Sequence, residues 1–431
     1  MKKSPENIID NGCNSRYNKD VRYGCHSNAT SRSFTHGGSE DTTMRKLMPY
    51  VICAVVALGG WGVGADSPHA ALAHQENAAE IQLAILFDTG DTMAPVIEQA
   101  QAQIWQIVNE ISTYRLYGKD PELQIALYEY GNGNVDLSQD YLRMLQPMTT
   151  DLDSVSEGIF SLYPEDAPSY CGAVIQDAVD NLDWSAAADS IKIIFIAGQG
   201  AFDLGPVDYR SACRAAAELD IMVYMLYCGE PDDDGAAGWE LAAKTTGITF
   251  QVVSANFTDD ILEAPQDQRI SELGVNLNNT YIPYGFDGQL ALNNQLVQDE
   301  NADNVSPQAS ILRILAKSAP QYRNPKWDLV DAVTTGLVDI GALDNAALPE
   351  KLQKMMPQQR QAYVDAIGRQ RSALQRQIKQ LRLQRKQFLT DTGVETDITQ
   401  QDSVTGVMIK IIRDQAGRKN YIIGPSNLLS R

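Results

Sequence analysis

Histidine is the residue this chain lacks where it would matter most. All four (His26, His36, His69 and His74) fall before residue 75 of 431. The remainder has no imidazole, which excludes Ser-His-Asp and Cys-His nucleophile systems and His-ligated zinc. A glycine-rich phosphate-binding loop is also missing. Cysteine is scarce: six in all, with only Cys171, Cys213 and Cys228 beyond residue 75. Positive charge is short as well, with 35 Lys and Arg against 55 Asp and Glu and a net charge of −20. Residues 1–65 are mildly basic, so residues 66–431 carry −23. Such an acidic body repels nucleic acid and anionic membrane, which argues against both as partners. What is present suits a core-forming protein of two or three domains, with 44% hydrophobic and 21% charged residues.

Residues 1–43 are polar and aperiodic, and read as disordered or as an upstream extension before the true start. Met44-Arg45-Lys46 then precedes an uncharged stretch from Leu47 to Ala65. A basic start, an apolar centre and small residues make 44–73 a secretory signal peptide, with cleavage after Ala65 or Ala73. An uncleaved membrane tether through 47–65 is the alternative, since about 19 apolar residues can span a bilayer. Either way the body is exported, to the periplasm or beyond.

The body is organised around Ile81 to Met93. Six of the seven residues Ile81–Phe87 are apolar, as in a strand buried on both faces; Asp88-Thr89-Gly90-Asp91-Thr92 forms a polar loop, and an apolar-periodic helix follows from Pro95. Strands are predicted over 81–87, 122–130, 190–196, 221–228 and 248–253. Helices are predicted over 94–112, 152–161, 170–183, 207–219 and 236–246. Continuous apolar runs such as Ile191 to Ile196, with one Lys among them, and Ile221 to Leu226 suit a parallel sheet covered on both sides. Gly131-Asn132-Gly133-Asn134 is a turn, so 141–148 folds back as an antiparallel edge strand. The expected architecture is a doubly wound, mostly parallel α/β sheet over 80–256, followed by a mainly helical C-terminal region. In 257–356 that region mixes turns with helices near 262–274, 306–319, 329–343 and 348–356. A long basic helix spans 357–391, and 392–431 holds a last helix over 403–415 and a loose tail from Ala416. Along 357–391, Ile367, Leu374, Leu381 and Phe388 form a heptad stripe beside an excess of Arg and Lys. This suggests packing on a neighbouring helix, docking on an acidic surface, or self-association.

In an open α/β sheet, ligands meet the carboxyl ends of the strands, which places Asp88 and Thr92 where a site would lie. The bland alternative is that they cap the following helix. The element order and the Asp88-x-x-x-Thr92 loop resemble a von Willebrand factor type A domain. The segments FDTGDTM (87–93), PELQIALYEYGN (121–132), SYCGAVIQDAV (169–179) and IIFIAGQGAFDLGPVDYRSAC (193–213) are similar to exported bacterial proteins containing that domain. The resemblance implies a metal-ion-dependent adhesion site that a partner's carboxylate completes. Its pattern is Asp-x-Ser-x-Ser, a later Thr, and an Asp ending the central strand. Here Asp88, Thr92 and Ser169 match, Gly90 replaces one Ser, and Ala197 stands for the last Asp. With so few oxygen ligands the implied site is degenerate, holding Mg²⁺ or Ca²⁺ weakly or not at all.

Height along the sheet bears on the thiols. Cys228 ends its strand about 23 Å above the sheet's lower edge, whereas Cys213 sits about 9 Å up its helix. Cys171, starting a helix at the top, is therefore the expected disulfide partner of Cys228, with three reduced cysteines as the alternative.

The functional expectation is an exported, non-enzymatic protein-binding or scaffolding module. Its partner would be another exported or envelope protein, met through Asp88, Asp91, Thr92, Ser169, Gln199 and Asp203. The alternatives are a metal-dependent hydrolase using Asp88, Asp91 and Thr92, and a structural protein that assembles through 357–391. If Met44 is the start, N-terminal sequencing of protein from its own cell should find the mature chain beginning between Asp66 and His74; an intact Met1 on cytoplasmic protein would contradict export.

Overall fold

A computed structural model describes residues 79–254, 263–393 and 402–424. The leader expectations for 1–73, and the tail beyond residue 424, lie outside these residues. Strand β1 (Glu80–Asp88) lies inside the sheet, paired with β3 (Glu122–Tyr130) on one side and β5 (Ile191–Gly198) on the other, and β3, β5, β6 (Met222–Cys228) and β7 (Thr249–Val253) run parallel with it. The sixth strand, β4 (Leu142–Thr149), is the antiparallel edge, giving the order β4-β3-β1-β5-β6-β7. This is the doubly wound, mostly parallel sheet read from the sequence, with every predicted strand within two residues of its place.

Alternation along β1 divides the core. Ile81, Leu83, Ile85 and Phe87 enter one hydrophobic cluster, and Ala84 and Leu86 the other. On the second side lie α3 (Cys171–Asn181), α4 (Tyr209–Glu218) and α5 (Asp234–Thr246). On the first lie α1 (Ala94–Ile111), α2 (Leu152–Phe160) and, from the far end of the chain, α12 (Val404–Arg418). Gln415 of α12 donates to the Tyr224 hydroxyl of β6 at 2.6 Å. The C-terminal helix therefore covers the sheet directly.

Outside α1 and α2, the same cluster takes in α6 (Asp267–Asn278) and α8 (Pro307–Lys317). Between these two, α7 (Gly288–Val305) is an 18-residue helix absent from the sequence-based reading. Its buried positions are Gly288, Gln295, Gln298 and Ala302, while Leu290, Leu296 and Val297 are exposed, so no apolar stripe announces it. Ser306 then caps α8 and Pro307 opens it. The helix expected over 329–343 stops early, as α9 (Leu329–Thr334), because Gly336 adopts φ 74° and breaks the run. Of 348–356 only α10 (Glu350–Gln353) is helical. Within the tail expected to be loose, the described residues 416–424 are ordered. Tyr421 is buried, and β8 (Ile422–Ile423) pairs with β2 (Tyr114–Arg115).

Helix α11 (Pro357–Asp391) begins and ends where the sequence places it, and part of its charge is answered within the chain. Arg371 is buried over the Tyr281 ring, 4.2 Å from its centroid, and donates to Asp328 at 2.6 and 3.1 Å and to Asp331 at 2.8 Å. Arg385 donates to Asp267 at 2.6 Å, and Arg382 to the Asn109 carbonyl at the end of α1 at 2.8 Å. In the stripe, Leu374 packs in the main core and Ile367 against Ile282, Leu329 and Val330.

A second buried set joins α7 and α8 to α1 and α2. Arg313 lies 4.3 Å over the Trp105 ring, pairing with Asp153 at 2.6 Å and Asp299 at 2.8 Å; Lys317 pairs with Asp299 at 2.7 Å. Burial pushes the Asp299 carboxyl up, but the two cations outweigh it and hold the group below its ordinary value. A carboxyl lowered in the fold adds stability above its unfolded pKa, and that stability is lost as pH falls through the folded pKa. Asp299→Asn should therefore cost about 3 kcal/mol at neutral pH. In urea melts the gap from the unmutated protein should stay flat down to roughly pH 4 and narrow below it. A gap independent of pH would contradict this.

Candidate functional site

Asp88 ends β1 with its side chain buried. A carboxylate so placed must find donors or a counter-ion, or become neutral. Four donors meet it, all from the chain. The Gly90 amide donates to Oδ1 at 3.0 Å; the Ser169 hydroxyl donates to Oδ2 at 3.0 Å, with the Gln199 and Gly200 amides at 3.4 and 3.5 Å. Burial still pushes the carboxyl above its ordinary value, against the pull of these bonds.

Glycine makes the approach of those groups feasible. At Gly131, φ 68° admits little else, and a Cβ would lie 2.8 Å from both Asp88 Oδ1 and Ser169 Oγ. At Gly200 it would lie 2.7 Å from Ser169 Oγ. At Gly198 it would overlap the Tyr130 hydroxyl and come within 2.9 Å of Asp88 Cβ. That hydroxyl donates to the Ala197 carbonyl at 3.1 Å. The glycines of 131–134 and 198–200 were the available sequence signal for this cradle, and of these only 131–134 was read, as a turn.

The central strand needs a correction here. Ala197 belongs with Ile193 and Phe195 to the cluster on the opposite side of the sheet. The position facing Asp88 is Gly198, because side chains alternate along a strand. The space a terminal aspartate would need there is occupied by Tyr130.

Of the expected metal ligands, Asp88 and Ser169 are brought together, while Thr92 is exposed on the 3-10 turn before α1. Among the described residues no hydrogen bond joins Asp88 to Asp91 or Thr92. Asp91 and Asp203 are exposed and Gln199 is half-buried. Helix capping by the loop is also not what occurs: no side chain caps α1. A carboxylate the sequence did not single out, Asp166, lies beside the loop. Its Oδ1 would be 3.2 Å, and Asp88 Oδ1 3.4 Å, from a Cβ at Gly90. Among the described residues no three His, Cys, Asp or Glu side chains gather as a metal centre. A cation at Asp88 would compete with the Ser169 and backbone donors that meet its oxygens.

The Cys171–Cys228 disulfide does not form. All three body cysteines are free and buried. Cys228 shares strand parity with Tyr224 and Leu226 and belongs to the first cluster, whereas Cys171 belongs to the second. The two are level but on opposite faces of the sheet, which height alone does not reveal. Burial raises the Cys171 and Cys228 thiols well above their ordinary value.

Gly198→Ala should cost about 1–3 kcal/mol, by overpacking against Tyr130 and Asp88. Gly90, at φ −62° and ψ 159°, already has a conformation open to any residue. Gly90→Ala should change stability by less than about 1 kcal/mol. Chemical denaturation of the two variants checks the cradle, and equal costs would refute it.

No protein-family model matches the sequence, and no curated protein matches it. Among solved structures the chain is similar to the vWF domain of the type V pili tip protein Mfa5 from Porphyromonas gingivalis, with 11% identity over 42% of this chain and 91% of that one, at a TM-score of 0.32. It is similar to the VWA domain of SpRpn10, with 14% identity, the same two coverages and a TM-score of 0.29. Against proximal thread matrix protein 1 from the mussel byssus the identity is 11% and the TM-score 0.30, and the match spans less than half of either chain.

Proposed function

We propose that this chain is an exported, non-enzymatic protein-binding module that meets its partner through the carboxyl ends of its strands. The observation that carries this reading is the state of Asp88. Its oxygens are taken by Ser169 and three amides, so it serves the loops as an anchor and is poorly placed to act as a nucleophile or base. The anchored loops present a rim in which Asp91, Asp166 and Asp203 are exposed beside Tyr163 at 69% and Leu204 at 43% exposure. Aromatic and aliphatic anchors within a charged rim are what a protein interface requires. The partner surface would offer Lys or Arg to this acidic rim. Mg²⁺ or Ca²⁺ is bound weakly or not at all, and recognition does not depend on it. Export rests on the sequence of 44–73. Among the described residues no helix is long and apolar enough to cross a membrane.

A hydrolase using Asp88, Asp91 and Thr92 would need a second acid or base in reach of Asp88, and the exposed Asp91 and Thr92 make no bond to it. The test is site-specific photo-crosslinking in the producing cell. A crosslinking residue at Thr92 or Asp203 should give one common adduct, and one at the exposed Lys244 or Glu272 should not. Adducts from the control positions alone, or none from the face, would overturn the assignment.

A further inference from the structure

A groove of about 890 Å³ lies far from Asp88, toward the amino ends of the strands, where Asp120 precedes β3. Its walls come from the end of α8 and the loop after it, from α9, and from α11. Four arginines line it: Arg323, Arg369, Arg371 and Arg376. Three carboxylates line it too, and each is already engaged. Asp331 accepts from Arg371 and from the Asn324 amide, Asp120 pairs with Arg115 at 2.8 Å, and Asp365 accepts from Gln361 at 2.7 Å.

The guanidinium of Arg371 is spent on Asp328 and Asp331. Arg323, Arg369 and Arg376 are exposed and, among the described residues, have no ion pair or hydrogen bond. The charge of Arg323 pulls on the Asp331 carboxyl, so Arg369 and Arg376 are the unmatched pair; in a chain with 20 more acids than bases, these two beside the exposed Arg323 make the groove a local reversal of sign. Arg369 and Arg376 stand two turns apart on α11, about 10 Å along its axis. They are too far apart to converge on one compact anion, but an extended chain covers that distance in about three residues.

We propose that this groove binds an extended acidic peptide segment of a partner protein, with Arg323, Arg369 and Arg376 taking successive carboxylates. The proposal does not rest on the role of the Asp88 face, and either can fail alone. The probe is fluorescein-labelled oligoglutamate, titrated with the full chain at low ionic strength and followed by anisotropy. Saturable binding is expected. The triple variant Arg323→Ala, Arg369→Ala, Arg376→Ala should weaken it by about tenfold or more. A control triple of exposed, paired cations, Arg210→Ala, Lys244→Ala, Lys354→Ala, should stay within about twofold. The single variant Arg376→Glu gives the same reading if the triple melts early. Failure of the unmutated protein to saturate, equal losses in both triples, or binding of tripolyphosphate without oligoglutamate would each overturn the proposal.

Discussion

Asp88 sets the terms for the carboxyl end of the sheet. It is a carboxylate buried at the tip of a strand that is apolar along its length, and the free energy of leaving it unsolvated has to be met locally. The chain meets it with its own hydrogen bonds. Those bonds require three loops to come within reach: the one after β1, the one carrying Ser169, and the one after β5. Close approach in turn requires glycine at 131, 198 and 200. The loops' geometry therefore follows from one ionisable group. The outer rim of exposed acids, with Tyr163 and Leu204, is the surface that these loops leave exposed.

A related solution recurs at larger scale in the helical layer. The charges of α7, α8 and α11 that look solvated in the sequence are partly buried; the buried guanidiniums of Arg313, Arg371 and Arg385 are all paired with carboxylates, and two of them lie over aromatic rings. Arg313 sits on Trp105 between Asp153 and Asp299, and Arg371 on Tyr281 between Asp328 and Asp331. Removing one partner from such a set strands the other, so these networks fix where the layer docks more than they add net stability. The basic helix is held to acids of its own chain, and its unmatched arginines are left on one groove.

What could be read in advance follows from how much of each signal is local. Fully buried strands announce themselves, so β1, β3, β5 and β6 were legible nearly to the residue. The long α11 was legible from the seven-residue recurrence of Ile367, Leu374, Leu381 and Phe388. Helix α7 was not, because its inward positions include Gln295 and Gln298 while Leu290, Leu296 and Val297 are exposed among polar residues. The last aspartate position was assigned to Ala197, when strand parity turns Gly198 toward Asp88. The same oversight produced the Cys171–Cys228 pair: position along the strand was considered and the face of the sheet was not. Asp88 and Ser169 were recognised as neighbours, but the donors that complete the site are backbone amides, which carry no residue-type signature.

The most direct test of this account is the melting temperature of the unmutated protein in EDTA and in about 10 mM Mg²⁺. A cation at a hundred times its dissociation constant would add about 2.7 kcal/mol, which moves a domain of this size by several degrees. If Asp88 is satisfied by Ser169 and the loop amides, the two melting temperatures should agree within about 1 °C. A rise of several degrees with Mg²⁺ that disappears in Asp88→Ala would show that the carboxylate is built for a metal, and would contradict the account.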